Sequence, residues 1–475
     1  MYSNIVNAHD YLRFFEDQIS SFGGVSRGNK KYVFRKNVNN PFPDKGAYFG
    51  CISEGEDISS VYSDLSIVVF PSNEPNDVDD RWIIALGVGS LGYKNDYALV
   101  SLPGTRRLFM KYFEGDTFIK NDFMDIESSD GFSSFCDAHN ISDTLENAVK
   151  SYSKVLLTAT LFDPNDNDSG EKLISKYLAM YANLRHWPSN NAQRKAVGEV
   201  LKVETPVIND ETNVKELLEK RKYVVLQGAP GTGKTRLAKL IPSKDDIVLF
   251  TQFHAETTYS DFVYGIIPDV KEDKLKYSER KGVFVQAIKK ATEIKDKKVY
   301  LIIDEINRAN LSNVLGPSFY LFEPTMTSHN VKIEVCPGLE LDKLPENLYV
   351  IATMNTADRS LAVVDFALRR RFAWYTIFPH EITADAGKRF CKDEFNAIAD
   401  IFEQYASDEE LNLQPGHAYF VVSGDEDAGQ NEIENRLRYE VMPLIKEYLL
   451  DGMLARAKDD FVNYFRKRIN EEMFK

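Results

Sequence analysis

The sequence predicts an α/β fold: a doubly wound parallel sheet over residues 213–378, a helical lid over 379–475, and a preceding α+β domain over 1–190, with 191–212 as connector. Three stretches carry that prediction. The β-branched apolar run from Tyr223 breaks into glycines and ends in Lys234-Thr235. The uniformly apolar run Val299–Ile303 ends abruptly in Asp304-Glu305, as expected of a strand covered by helices on both faces. A third run, Leu348–Thr353, ends in the polar segment Met354-Asn355-Thr356.

Residues Ser3 to Ser21 have Ile5, Tyr11, Leu12, Phe15 and Ile19 at helical spacing, with Gly23-Gly24 as the stop. In Arg27–Lys36 basic residues alternate with aromatics. Such a run suits an edge strand protected by charge, or a nucleic-acid-facing strand on which Tyr32 and Phe34 stack bases. Strand-like runs follow at Leu65–Phe70, Trp82–Val88 and Tyr97–Leu102, and together they suggest a small antiparallel sheet. Asp163–Gly170 reads as a loop by composition and Glu171–Trp187 as a helix, which Pro188-Ser189-Asn190-Asn191 breaks. Asn213–Lys222 is a short helix leading into the first strand of the sheet.

The glycine loop Gly228-Ala229-Pro230-Gly231-Thr232-Gly233-Lys234-Thr235, continuing to Arg236, is a phosphate cradle. Its glycines let backbone N–H groups turn inward where side chains would block an anion. Lys234 can then reach the β- and γ-phosphates of a nucleotide, and the Thr235 hydroxyl can hold Mg²⁺. The helix that follows, Arg236–Leu240, turns its positive end toward that anion. Asp304 falls at the carboxyl end of its strand, the edge where ligands bind in a doubly wound sheet, and would orient the metal; Glu305 would polarise the attacking water. Asn355 sits where a polar side chain could hold that water. Arg369, Arg370 and Arg371 follow just outside the sheet and suggest cations presented to a neighbouring subunit's phosphate. Some of the three pair with surface acids instead.

Between these stretches, Ile247–Gln252 is a further strand, Lys271–Lys281 a hairpin or loop, and Gly282–Lys295 a helix. Glu279-Arg280-Lys281 matches half of a nuclease signature, a triplet too frequent in charged segments to carry an assignment. After Pro379 the composition turns helical, and Met453–Ile469 closes the lid with Leu454, Ala457, Phe461 and Phe465 on one face.

The bulk composition restricts the function classes. With 43% hydrophobic and 27% charged residues, the chain can bury several ordinary cores. No apolar run approaches the length that spans a bilayer, so no membrane partner and a cytoplasmic location are expected. The cysteines Cys51, Cys136, Cys336 and Cys391 are scattered, which argues against a disulfide framework, and the lone Cys136/His139 spacing is read as structural. A net charge of −14 excludes a generally polyanion-coating surface, while leaving room for a local basic patch or pore.

The order of glycine loop, Asp-Glu strand end, polar third strand and trailing arginines resembles the AAA+ class of ring-forming nucleotide hydrolases. Within it, Met354-Asn355-Thr356-Ala357-Asp358-Arg359-Ser360 and the segment through Arg371-Phe372 resemble the signature of the McrB family. Asp304–Ser312, Phe253-His254 with Tyr259, Asp261 and Phe262, and Gly416-His417-Ala418-Tyr419-Phe420 fit the same family, a likeness that runs from about Asn213 to the end. It implies a homo-hexameric ring, GTP (or ATP) as substrate with Mg²⁺, a McrC-like nuclease subunit as partner, and DNA contact through the N-terminal domain or the ring. It also places Asn355, Asp358 and Arg359 at or across the subunit interface. No guanine-reading Asn-Lys-x-Asp element is present, so the residues themselves leave GTP and ATP open. Pro317 and Tyr264 depart from the family pattern, where acids usually stand, and both lie outside the hydrolytic set. A remodelling ATPase of the MoxR type, acting on protein partners, is the alternative function.

Overall fold

The computed structural model describes residues 3–26, 28–36, 49–54, 65–71, 81–88, 102–113, 115–123, 131–150, 152–201, 209–269, 276–323, 332–357 and 366–474. Two compact units divide between Pro206 and Val207.

The first unit is built on a six-stranded antiparallel sheet. Its strands run in the order Tyr32–Lys36, Phe49–Ser53, Ser66–Phe70, Trp82–Gly87, Leu156–Phe162, Thr117–Ile119. Helices Ser3–Ser21 and Asn167–Leu184 contribute to the core on one face, through Phe15, Tyr177 and Tyr181. Helices Phe132–Ala138 and Asp143–Lys150 do so on the other, through Phe135 and Leu145. Covered on both sides, the strands Ser66–Phe70 and Trp82–Gly87 are buried at every position, which is why they are almost wholly apolar.

Tyr32–Lys36 lies at the sheet edge. Its aromatics do not form a stacking platform: Tyr32 is buried with its ring 6.0 Å from Trp187, and Phe34 packs between Phe15 and Phe49. The helix expected from Glu171 begins earlier, at Asn167, inside the segment whose composition reads as a loop. Asp166 is the reason, because its carboxylate accepts the Ser169 amide and caps the first turn. Helix Asn191–Val200, in the stretch read as connector, packs Val197 into the core of the first unit. The expected strand at Tyr97–Leu102 lies almost wholly outside the described residues. Cys136 is buried, and His139 pairs with the Phe135 carbonyl and Asp116; all four cysteines are free thiols.

In the second unit five parallel strands take the order Ile247–Gln252, Val299–Asp304, Leu348–Asn355, Tyr223–Gly228, Ala373–Thr376. Alternation along each strand splits the core in two. Val224, Leu226, Ile302 and Ile351 meet helix Asp210–Arg221, and Val225, Leu301, Ile303 and Val350 meet helix Val283–Glu293. Register then brings the strand ends to one level: Asn355 pairs with Gly228, and Ile303 with Ala352. The lid packs helices Lys392–Tyr405, Glu426–Arg436, Met442–Leu450 and Lys458–Ile469 around Phe395, Phe402, Phe461 and Phe465. Its last helix starts later than Met453, since Leu454 adopts a left-handed backbone (φ 52°) that interrupts the turn.

Candidate active site

The carboxyl edge of the parallel sheet gathers the polar ends of three strands and the glycine loop. Gly231 and Gly233 sit at φ 79° and 78°, a region that L side chains avoid. A Cβ on Gly228 would come 2.4 Å from the Ile377 carbonyl, so this position has no space for a side chain either. Thr232, buried, donates through Oγ1 to the Ala229 carbonyl at 2.9 Å and braces the turn from inside. Lys234 is buried too, and its Nζ donates to the carbonyls of Gly228 (3.0 Å) and Ala229 (2.8 Å). The ammonium is thus held across the mouth of its own loop.

Thr235 opens the following helix and donates through Oγ1 to Asp304 Oδ1 at 2.7 Å. Thr353, from the adjacent strand, donates to the same oxygen at 2.7 Å. Two hydroxyl donors on one carboxylate oxygen fix its orientation. Thr353 Oγ1 also accepts the Glu305 amide at 3.1 Å, which holds Glu305 in a left-handed conformation (φ 57°, ψ 47°). That turn lifts the Glu305 side chain off the strand axis. Its Oε1 accepts from Asn355 Nδ2 at 2.6 Å, and its Oε2 pairs with Arg308 Nε at 3.3 Å.

Of the residues expected in the site from sequence, Gly228 through Thr235, Asp304, Glu305 and Asn355 come together. Arg236 borders them and pairs across the surface with Asp385. Arg369 and Arg370 lie elsewhere, at the opposite end of the sheet, because they precede Ala373, which pairs with Val224 at the start of the loop strand. The three arginines differ in surroundings. Arg371 is 11% exposed, paired with Glu323 at 3.2 Å and stacked 4.1 Å over the Phe319 ring. Arg370 reaches the same Glu323 at 2.9 Å but is 68% exposed, and the exposed Arg369 lies over Trp374. Asp358 and Arg359 lie outside the described residues.

Sequence reasoning missed Thr353, and it marked Arg308 and the lid segment Gly416–Tyr419 only as parts of family-like stretches, with no role at the site. The last is joined to the loop by main-chain bonds, Gly416 N to Pro230 O and Ala418 N to Gly231 O, each 2.9 Å. Thr353 carried a faint signal, as the one aliphatic hydroxyl in the apolar run Leu348–Met354.

A family model described as AAA domain (dynein-related subfamily) matches residues 223–372, the stretch that carries the loop and four of the five strands of the parallel sheet. Among curated proteins, the chain is 31% identical over 274 residues to the type IV methyl-directed restriction enzyme EcoKMcrB subunit of Escherichia coli strain K12, covering 52% of this chain and 59% of that one. It is 29% identical over 189 residues to the type II restriction enzyme BsuMI component YdiS of Bacillus subtilis strain 168, covering 32% of this chain and 55% of that one. The match thus spans somewhat over half the length of each relative. The chain is thus similar to the McrB subunit over about half its length and carries, within residues 223–372, a match to the AAA domain model.

Proposed function

We propose that the chain hydrolyses a nucleoside triphosphate, GTP or ATP, as the ring-forming motor subunit of a restriction complex whose nuclease resides on a separate subunit. The observation that carries this reading is the convergence of Lys234, the Thr235–Asp304–Thr353 cluster and the Glu305–Asn355 pair at one sheet edge. The type of complex is suggested by the two relatives, both components of restriction enzymes.

In this reading the loop amides and Lys234 hold the triphosphate. The ammonium exchanges its carbonyl partners for phosphate oxygens, a stronger, charge-assisted pairing. The cluster of Thr235, Asp304 and Thr353 offers only hard oxygen donors, which fits Mg²⁺ held by Thr235 and Asp304. Bound there, the ion would neutralise charge on the phosphate oxygens. Glu305, its carboxylate positioned by Asn355, takes the proton from the attacking water. Both carboxylate oxygens are engaged in this structure, so Arg308 must yield one before the base can act.

Arg369 and Arg370 cannot serve their own site. The six residues of the loop strand place them about 20 Å from it at roughly 3.3 Å per residue. Their exposure suits a role in a neighbouring subunit's site, where such an arginine is worth roughly 10³ to 10⁵ in rate. Arg371 is structural. The first unit is proposed to bind the target, with DNA as the candidate. Hydrolysis of ATP and GTP, measured side by side with and without DNA and the companion nuclease, tests the assignment. Release of phosphate from one of them that is abolished by Lys234→Ala is expected, and no hydrolysis of either under any of these conditions would overturn it.

A further inference from the structure

The lid segment Gly416–Tyr419 does more than touch the glycine loop. Gly416 lies so close that a Cβ there would come 2.1 Å from the Gly231 carbonyl carbon, and a Cβ on Gly231 would meet the Tyr419 ring at 2.7 Å. Between these two contacts stands His417. Its Nε2 is 3.4 Å from the position a Cβ on Gly233 would take, so the ring edge looks onto the open side of the loop just before Lys234. Its Nδ1 is buried with no hydrogen-bond partner. A neutral imidazole has one N–H. A proton on Nδ1 would leave a buried donor unsatisfied, which makes the Nε2–H tautomer the cheaper one. That tautomer aims a donor at the loop. Burial first, then His380 (ring centroids 5.0 Å apart) and Arg236, hold the His417 pKa down to about 4, so the group is neutral around pH 7.

We infer that His417 is a further nucleotide-contacting residue: the lid delivers its Nε2–H to a phosphate oxygen of the triphosphate held by the glycine loop. The contact rests on the nucleotide-hydrolase reading above and adds to it a lid-borne donor that recognises phosphate, whichever base is attached. It also gives the lid a direct bond to the ligand, beside the two main-chain bonds that already join lid and loop.

The test uses the full chain, with Mg²⁺-ATPγS and Mg²⁺-GTPγS as probes in equilibrium titrations of wild type, His417→Leu and His417→Gln. A lost hydrogen bond to a charged oxygen predicts affinity about 10- to 100-fold weaker for His417→Leu, by the same factor for both probes. His417→Gln keeps an N–H donor near the Nε2 position and is expected to recover most of the loss. A merely structural residue would not show that recovery. In ¹⁵N-histidine-labelled protein, the Nε2 signal missing from His417→Gln should shift when either probe is added to wild type. Affinity of His417→Leu within two-fold of wild type, a loss confined to one base, no recovery with Gln, or an unmoved Nε2 signal each overturns the contact. Wild type that binds neither probe overturns the hydrolase reading together with it, whereas normal wild-type binding with an unaffected His417→Leu overturns the contact alone.

Discussion

Replacing Thr353 by valine removes one hydroxyl from the centre of the site with little change in volume. Thr353 is 2% exposed and makes two bonds that a valine cannot: it donates to Asp304 Oδ1 at 2.7 Å and accepts the Glu305 amide at 3.1 Å. A bond to a charged carboxylate is worth about 1.5–3 kcal/mol, and a buried amide left without an acceptor costs about 1–3 kcal/mol. The two overlap through their shared hydroxyl, so a combined loss of about 3 kcal/mol is expected. At roughly 2–4 °C per kcal/mol for a unit of this size, the melting temperature should fall by about 6–12 °C. Hydrolysis should fall further than nucleotide affinity, because Asp304 and Glu305 both lose their orientation while the glycine loop keeps its phosphate contacts. Thr353→Ser retains the hydroxyl and should return most of both. Urea denaturation monitored by tryptophan fluorescence, beside a phosphate-release assay, reads the two effects separately. Stability within 0.5 kcal/mol of wild type, or turnover within two-fold, would refute the claim that this hydroxyl organises both acids (both limits are about the scatter of surface substitutions).

Other perturbations separate stability from chemistry. Glu305→Gln should bind nucleotide and hydrolyse it very slowly, whereas Glu305→Gly should be equally inactive yet relieved of the left-handed strain at φ 57°, about 1 kcal/mol by the usual cost of that conformation; denaturation midpoints compare the two. Arg371→Ala should destabilise the fold by leaving the mostly covered Glu323 short of a partner, while Arg369→Ala should leave the melting temperature unchanged and lower hydrolysis, with partial recovery when mixed with Lys234→Ala subunits. Gly416→Ala cannot be accommodated against the Gly231 backbone and should release the lid from the loop, seen as increased protease cleavage between residues 379 and 475. The pH dependence of stability has a defined sign at His417. Its pKa is lowered from 6.5 to about 4 in the folded protein, so the unfolded chain takes up this proton first as pH falls. The stability tied to the neutral ring is present in full above about pH 6.5 and is lost toward pH 4. His417→Gln should therefore lose less stability than wild type between pH 7 and pH 5.

The parallel sheet was legible because three of its five strands end in a chemical discontinuity: glycines after Gln227, acids after Ile303, a polar segment after Met354. The first unit was less so. Phe49–Ser53 contains Gly50, which weakens a strand signal, and Leu156–Phe162 is apolar enough to read as strand or buried helix. Asp166 resembled one more loop acid until its cap to Ser169 was visible. Within the site, Thr353 was hidden because threonine is ordinary in any strand. Its role depends on which side of the sheet its neighbour Asp304 occupies, a matter of register. His417 stood in a family-like stretch, but its place beside the loop was hidden by distance, since nearly two hundred residues separate the two. The arginine triplet could be found but not sorted, because the pairing of Arg371 with Glu323 and Phe319 is long-range and invisible to local pattern.

The central claim is that loop, hydroxyls and acids on separate strands form one site for a metal-bound triphosphate. A crystal structure of the full chain with Mn²⁺ and a non-hydrolysable triphosphate tests it most directly, since manganese is located by its anomalous scattering. The metal peak is expected within about 2.2 Å of Thr235 Oγ1, beside Asp304, with Lys234 Nζ transferred from the carbonyls of Gly228 and Ala229 to phosphate oxygens. A triphosphate bound elsewhere on the chain, or a metal peak remote from Thr235 and Asp304, would contradict it.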